Sequence, residues 1–159
     1  VQLKVDRTAL SKKFFELSRT YHPDFFTNES DEKQAEVLEK SAILNKAWKT
    51  FQSSDATIKY VLMEKKLLEE EEKYELPPAF LMEVMDINEL LMDTDDAEAT
   101  KNIQQTIDNL QAEIYEPVVK TVEEYKEGVT TEAELLQVKD YYYKKKYLDR
   151  IRQQLAGMA

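Results

Sequence analysis

The chain has 159 residues and a formal net charge of −10, with 42% hydrophobic and 34% charged residues, two Gly, four Pro and no Cys. This composition excludes a disordered chain, a disulfide scaffold and Cys-based zinc or iron-sulfur ligation, and with so few turn residues it favours an all-α protein over a sheet. Residues 73–159 hold most of the acidic excess, 18 Asp and Glu against 10 Lys and Arg, which disfavours a nucleic-acid backbone as partner.

Asp6 is a good N-cap, and Leu10, Phe14, Leu17 and Tyr21 follow at spacings of four, three and four, so the spacing predicts a helix ending at His22 with that stripe in the core. Lys12, Lys13 and Arg19 fall off the stripe and give the helix a basic side. The helix runs into Tyr21-His22-Pro23-Asp24, which contains the only histidine of the chain. Pro23 fixes its own φ and disfavours helix at His22, so the turn should be rigid, with His22 and Asp24 in solvent. On its own such a tripeptide is an ordinary turn. A lone histidine without Cys, a second His or a Ser partner makes neither a metal site nor a good catalytic base.

Phe25 and Phe26 are expected to tuck back between the helices, and a second helix opens near Ser30 or Asp31 with Glu32 in its first turn. Its stripe is Val37, Ile43, Leu44, Ala47, Trp48 and Phe51, spaced to face the first helix, so the two should form an antiparallel hairpin with His-Pro-Asp in the connection. Ser53-Ser54-Asp55 then caps a third helix, in which Ile58, Val61 and Leu62 are apolar.

A basic-sided helix ending in Tyr-His-Pro-Asp, a polar loop, and a long helix with Asn45-Lys46-Ala47-Trp48 near its end resembles a J domain, the partner-activating module of DnaK-type ATPase chaperones. The resemblance implies that His22, Pro23 and Asp24 are the signature loop and that Lys12, Lys13 and Arg19 dock on an acidic chaperone surface. Two departures stand out. The family's short first helix is missing or truncated ahead of the hairpin, and Phe25 occupies a position where the family more often has lysine.

Glu69 to Glu72 and the following Lys73-Tyr74-Glu75-Leu76-Pro77-Pro78 read as a helix end and a linker, which places a domain junction between residues 72 and 73. Pro78 suits the first position of the next helix, which runs to about Met92. At about 100° per residue, Phe80, Val84, Ile87 and Leu91 cluster on one side, whereas Met82, Met85, Asp86, Glu89 and Asp93 cluster roughly opposite, with Leu81 at the edge. The first side is core. The second interleaves Met with carboxylates, a composition suited to a protein-binding surface or to the rim of a further helix packed there. Without histidine or a pocket-forming motif beside them, these acids do not suggest catalysis.

Asp95-Asp96 caps a long helix whose seam, Ile103, Ile107, Leu110 and Ile114, continues through Val118, Val122 and Tyr125, with Pro117 kinking or restarting it and Gly128 ending it. Thr131-Glu-Ala-Glu134 is a capping box for the last helix, whose stripe is Leu135, Val138, Tyr142, Leu148, Ile151 and Leu155. Tyr141-Tyr142-Tyr143 spans more than one face, so one ring at least should leave the core. Three matching stripes make a small bundle.

Ala79-Phe80-Leu81-Met82-Glu83 and Tyr147-Leu148-Asp149-Arg150-Ile151-Arg152 closely resemble runs of HscB-type iron-sulfur co-chaperones. That resemblance implies an L-shaped, all-α adaptor with a J domain at 1–72 and a three-helix bundle at 73–159. It further implies that Leu81, Met82, Met85, Asp86, Glu89, Asp93 and Tyr147 bind an IscU-type scaffold, while the loop stimulates the ATPase of an HscA/DnaK-type chaperone. No glycine-rich phosphate loop is present, so the chain itself is expected to be no enzyme, with no cofactor and no metal. A general J protein carrying unfolded clients on the Met face, or a purely structural bundle with a chance turn, are the readings from other classes. No apolar run approaches membrane-spanning length and no basic, apolar leader precedes Val1, so a membrane is not an expected partner, and the acidic balance makes nucleic acid an unexpected one. The expected location is a bacterial cytoplasm, or the mitochondrial matrix if the source is eukaryotic; the missing cysteines favour the first.

Overall fold

The computed structural model describes residues 2–93 and 96–157, and the regular structure among them is helical throughout. In order, the helices are α1 (Arg7–Thr20), α2 (Asp31–Phe51), α3 (Ser54–Glu64), α4 (Pro78–Met92), α5 (Ala97–Tyr115), α6 (Val119–Glu123) and α7 (Glu132–Gly157). Packing divides the chain into two compact units, residues 1–61 and 62–159.

In the first unit, the Asp6 carboxylate accepts hydrogen bonds from the Thr8 and Ala9 amides and starts α1. α1 stops at Thr20, two residues before the expected end, because the residue preceding Pro23 cannot stay helical: His22 is extended, at φ −72° and ψ 126°. Ser30 caps α2 by accepting from the Lys33 amide at 3.3 Å. α1 and α2 pack as a hairpin through Phe14 and Trp48, whose rings stack at 4.4 Å.

The α1 stripe differs from expectation in depth. Leu10, Phe14, Leu17 and Tyr21 are half-buried, and no residue of α1 is fully buried, since a two-helix hairpin covers each stripe from one side only. On α2, Val37 is buried but Ile43 is 61% exposed. At about 100° per residue, Ile43 lies about 120° around the helix from Val37, off the face that meets α1. Ser53 caps α3 by accepting from the Ala56 amide at 3.2 Å, and Ile58, Val61 and Leu62 are buried.

In the second unit, α4, α5 and α7 close around a core built on Phe80, Val84, Ile87, Leu91, Ile103, Ile107, Leu110, Leu148, Ile151 and Leu155. Pro78 is the first residue of α4. The Asp96 carboxylate accepts from the Ala99 amide at 2.7 Å and starts α5, whereas Asp95 lies outside the described residues. Pro117 breaks the seam: α5 ends at Tyr115, one turn of 3-10 helix covers Glu116–Val118, and α6 restarts. α6 ends at Glu123, and Gly128 follows in a turn at φ +77°, a left-handed conformation that glycine adopts without strain. The capping box is complete, with the Thr131 amide donating to the Glu134 carboxylate at 2.8 Å and the Glu134 amide to the Thr131 hydroxyl at 3.2 Å.

Arg152 ties α7 to α5 through Asp108 at 2.7 Å and through Gln111. The segment before α4 is strapped to α7. Glu72 accepts from Lys139 at 2.9 Å and Tyr143 at 3.0 Å, while the Tyr74 hydroxyl donates to Asp140 at 2.8 Å and its ring stacks on Tyr143 at 4.5 Å. Glu72 is half-buried where the rest of the acidic run is exposed, and Tyr143 is the ring of its triplet that leaves the core for this strap.

Candidate functional site

Two exposed surfaces, one in each unit, gather the residues singled out from the sequence. The first is the tip of the α1–α2 hairpin. Pro23 opens a turn of 3-10 helix over Pro23–Phe26, and the His22 Nδ1 accepts a hydrogen bond from the Asp24 amide at 3.2 Å. That bond fixes the imidazole against its own turn while leaving the ring half in solvent; the Asp24 side chain is almost fully exposed. The loop behind is held by Gln34, whose side-chain amide donates to the Thr27 and Glu29 carbonyls at 3.1 and 2.9 Å. The tip is thus a rigid, outward-facing polar element.

Phe25 corrects the expectation that both loop aromatics fold inward. It is 71% exposed and meets His22 edge-on at 5.8 Å, so it stands at the tip, while Phe26 is half-buried with Lys33 over its ring. A 3-10 turn separates successive side chains by about 120°, so adjacent aromatics cannot both face the hairpin. Lys12, Lys13 and Arg19 are all exposed on α1, and among the described residues none of them forms an ion pair.

The second surface is the outer side of α4. Phe80, Val84, Ile87 and Leu91 are buried, and apart from the half-buried Asn88 the remaining positions of the helix are exposed. Leu81, Met82, Met85, Asp86, Glu89 and Asp93 are all exposed, the last as the C-terminal cap. They form two adjacent strips. Leu81 and Met85 lie along one, and Met82, Asp86, Glu89 and Asp93 along the other, at spacings of four, three and four. Met92, which had not been singled out, extends the first strip and is 86% exposed; its position eleven residues after Leu81 is the signal that locates it.

Tyr147 is placed differently. It is half-buried against the core, its ring edge-on to Phe80 at 6.4 Å. Within the run 147–152, Leu148 and Ile151 are core and Arg152 is the α5 tie, so most of that run serves packing. One groove of this unit, about 660 Å³, is lined from α4 by Ala79, Phe80 and Glu83, and another of about 330 Å³ by Glu83, Asp86, Ile87 and Leu90; neither is lined by Met82, Met85 or Glu89. Those three stand on a convex helix surface, a shape that fits a protein better than a small molecule.

Ionisation is perturbed at the strap. The Lys139 hydrogen bond holds the Glu72 carboxyl below the usual carboxylate range, and burial aided by the Asp140 bond pushes the Tyr74 phenol up to about 12. Burial and the Glu72 bond push the Tyr143 phenol up as well. Among the described residues, no group of three His, Asp or Glu side chains is arranged to hold a metal ion, and no helix is long and apolar enough to cross a membrane.

Residues 76–156 match the family model described as the HSCB C-terminal oligomerisation domain. The Co-chaperone protein HscB homolog of Vibrio parahaemolyticus is 29% identical over 134 residues, covering 83% of this chain and 78% of that protein. The mouse Iron-sulfur cluster co-chaperone protein HscB is 30% identical over 122 residues, 76% of this chain, and the chain spans about half of it, 52%. The crystal structure of human co-chaperone protein HscB superposes with a TM-score of 0.77 at 26% identity, covering 98% of this chain and 75% of that one.

Proposed function

The chain belongs to the HscB family of co-chaperones of iron-sulfur cluster assembly, and from that premise we propose that it is an adaptor between an HscA/DnaK-type ATPase chaperone and an IscU-type scaffold protein. Residues 1–72 face the chaperone. His22, Pro23 and Asp24, with Lys12, Lys13 and Arg19, engage its ATP-bound form and promote hydrolysis there, so the chemistry belongs to the partner. Residues 73–159 hold the scaffold through Leu81, Met82, Met85, Asp86, Glu89 and Asp93, with Tyr147 at the core edge beside them. Binding both partners raises the effective concentration of scaffold at the chaperone, and this tethering is the adaptor's contribution. A bacterial cytoplasm, or a mitochondrial matrix in a eukaryote, is the compartment in which those partners meet.

The observation that carries the reading is α4, where one face is wholly core and the other exposes Met between carboxylates. A helix that needed only to complete the bundle would present ordinary polar residues outward; flexible, polarisable Met side chains at such a place suit an interface.

Single-turnover ATP hydrolysis by a DnaK-type chaperone, with scaffold present, tests both halves. The protein should accelerate hydrolysis, His22→Gln should abolish the acceleration, and Met85→Ala should remove only the part that depends on scaffold. Equal rates for the protein and His22→Gln would overturn the co-chaperone mechanism.

A further inference from the structure

We infer that Phe15 is an apolar anchor at one edge of the basic face of α1, and that it seats in an apolar pocket rimmed by carboxylates on the ATPase chaperone. This rests on the docking role proposed for that face and names what fixes its specificity.

Phe15 is 58% exposed, although the aromatic next to it is fully used by the hairpin. Phe14 stacks flat on Trp48 at 4.4 Å, with the planes 17° apart, and belongs to the half-buried stripe. Phe15 instead rests edge-on against Phe14 at 5.6 Å and lies 6.5 Å from Trp48. The ring is therefore supported from behind by two aromatics and open in front, so little side-chain entropy is left to lose on binding. Packing of α1 does not require it.

Its neighbours define the partner. Lys12, Phe15 and Arg19 follow at i, i+3 and i+7, one side of the helix, and among the described residues both cations lack an ion pair. An exposed aromatic flanked by two uncommitted cations is the inverse of an apolar pocket with carboxylates on one side of its rim, and aromatic and Arg side chains are the common anchors of protein interfaces. A uniformly anionic surface such as a lipid bilayer fits poorly, because the exposed Glu16 lies on the same flank and the chain carries a net charge of −10. A local pocket meets the cations and the ring without meeting the rest of that charge.

The test is the rate of ATP hydrolysis by a DnaK-type chaperone as a function of the concentration of this protein. Phe15→Ala should raise the half-saturating concentration about tenfold, equivalent to ~1.4 kcal/mol, and leave the maximal rate unchanged. Phe15→Leu should restore most of the affinity. The Phe15→Ala shift should persist as salt rises, whereas the shifts for Lys12→Ala and Arg19→Ala should shrink. If Phe15→Ala lowers the melting temperature, Phe15→Gln at the native melting temperature decides, since it keeps the length of the side chain and should still raise the half-saturating concentration.

An unchanged half-saturating concentration would overturn the inference while His22→Gln still abolished stimulation. A lower maximal rate at unchanged affinity would overturn it too, as would loss of a dimer in sedimentation on Phe15→Ala, which assigns the ring to a second copy. If His22→Gln has no effect, the docking role itself fails first.

Discussion

At the scale of single residues, Glu72 and Tyr74 show how one pair of side chains secures an otherwise irregular segment. Glu72 is held below its ordinary pKa of 4.5, so the stability it contributes is full above that value and is lost as pH falls through the lowered one. Tyr74 is raised from 10.0 to about 12, so its contribution is full below pH 10 and is lost as pH rises toward 12. The urea midpoint of the second unit should therefore be flat between about pH 5 and 10 and fall on both sides. Glu72→Gln should lower the plateau by about 1–2 kcal/mol and make the acid limb shallower, while Tyr74→Phe makes the alkaline limb shallower, with Tyr143 and Tyr125 still contributing to it. Unaltered limbs in both variants would mean that the strap does not form in solution. None of this was legible in the sequence. Glu72 sits in a run of four glutamates, and its partners Lys139 and Tyr143 lie 67 and 71 residues away, brought near only by tertiary packing.

At the scale of elements, α4 separates a core face from an exposed face within one helix. Ile87→Ala removes a side chain from the centre of the core and should cost about 2–5 kcal/mol, lowering the melting temperature by roughly 10 °C or more. Met85→Ala removes an exposed side chain and should change stability by less than about 0.5 kcal/mol while weakening scaffold binding measured by calorimetry. An equal loss of stability in both would contradict the two-faced description. This helix was readable from its residues because the apolar spacing of four, three and four leaves one consistent way to place it. The caps at Asp6, Ser30, Asp96 and Thr131 were readable for the same local reason: each signal lies within four residues of its effect. Ile43 and Phe25 were not, since a hydrophobic residue near a stripe counts toward it until the facing helix sets how wide the covered arc is.

At the scale of the whole molecule, the two units differ in how deeply they bury their helices. α1 has no fully buried residue, whereas α4, α5 and α7 carry four, three and seven. Native-state hydrogen exchange should show the amides of α1 opening at lower free energy than those of α5 and α7. Equal protection in both units would point to a single cooperative transition. The exposed strips of α4 have a further consequence for the protein as a solute. Leu81, Met82, Met85 and Met92 form an exposed apolar patch, with the like charges of Asp86, Glu89 and Asp93 beside it. Near the isoelectric point of about 4.7 the net charge that holds whole molecules apart falls to zero while the patch remains, so the protein should be least soluble in mild acid.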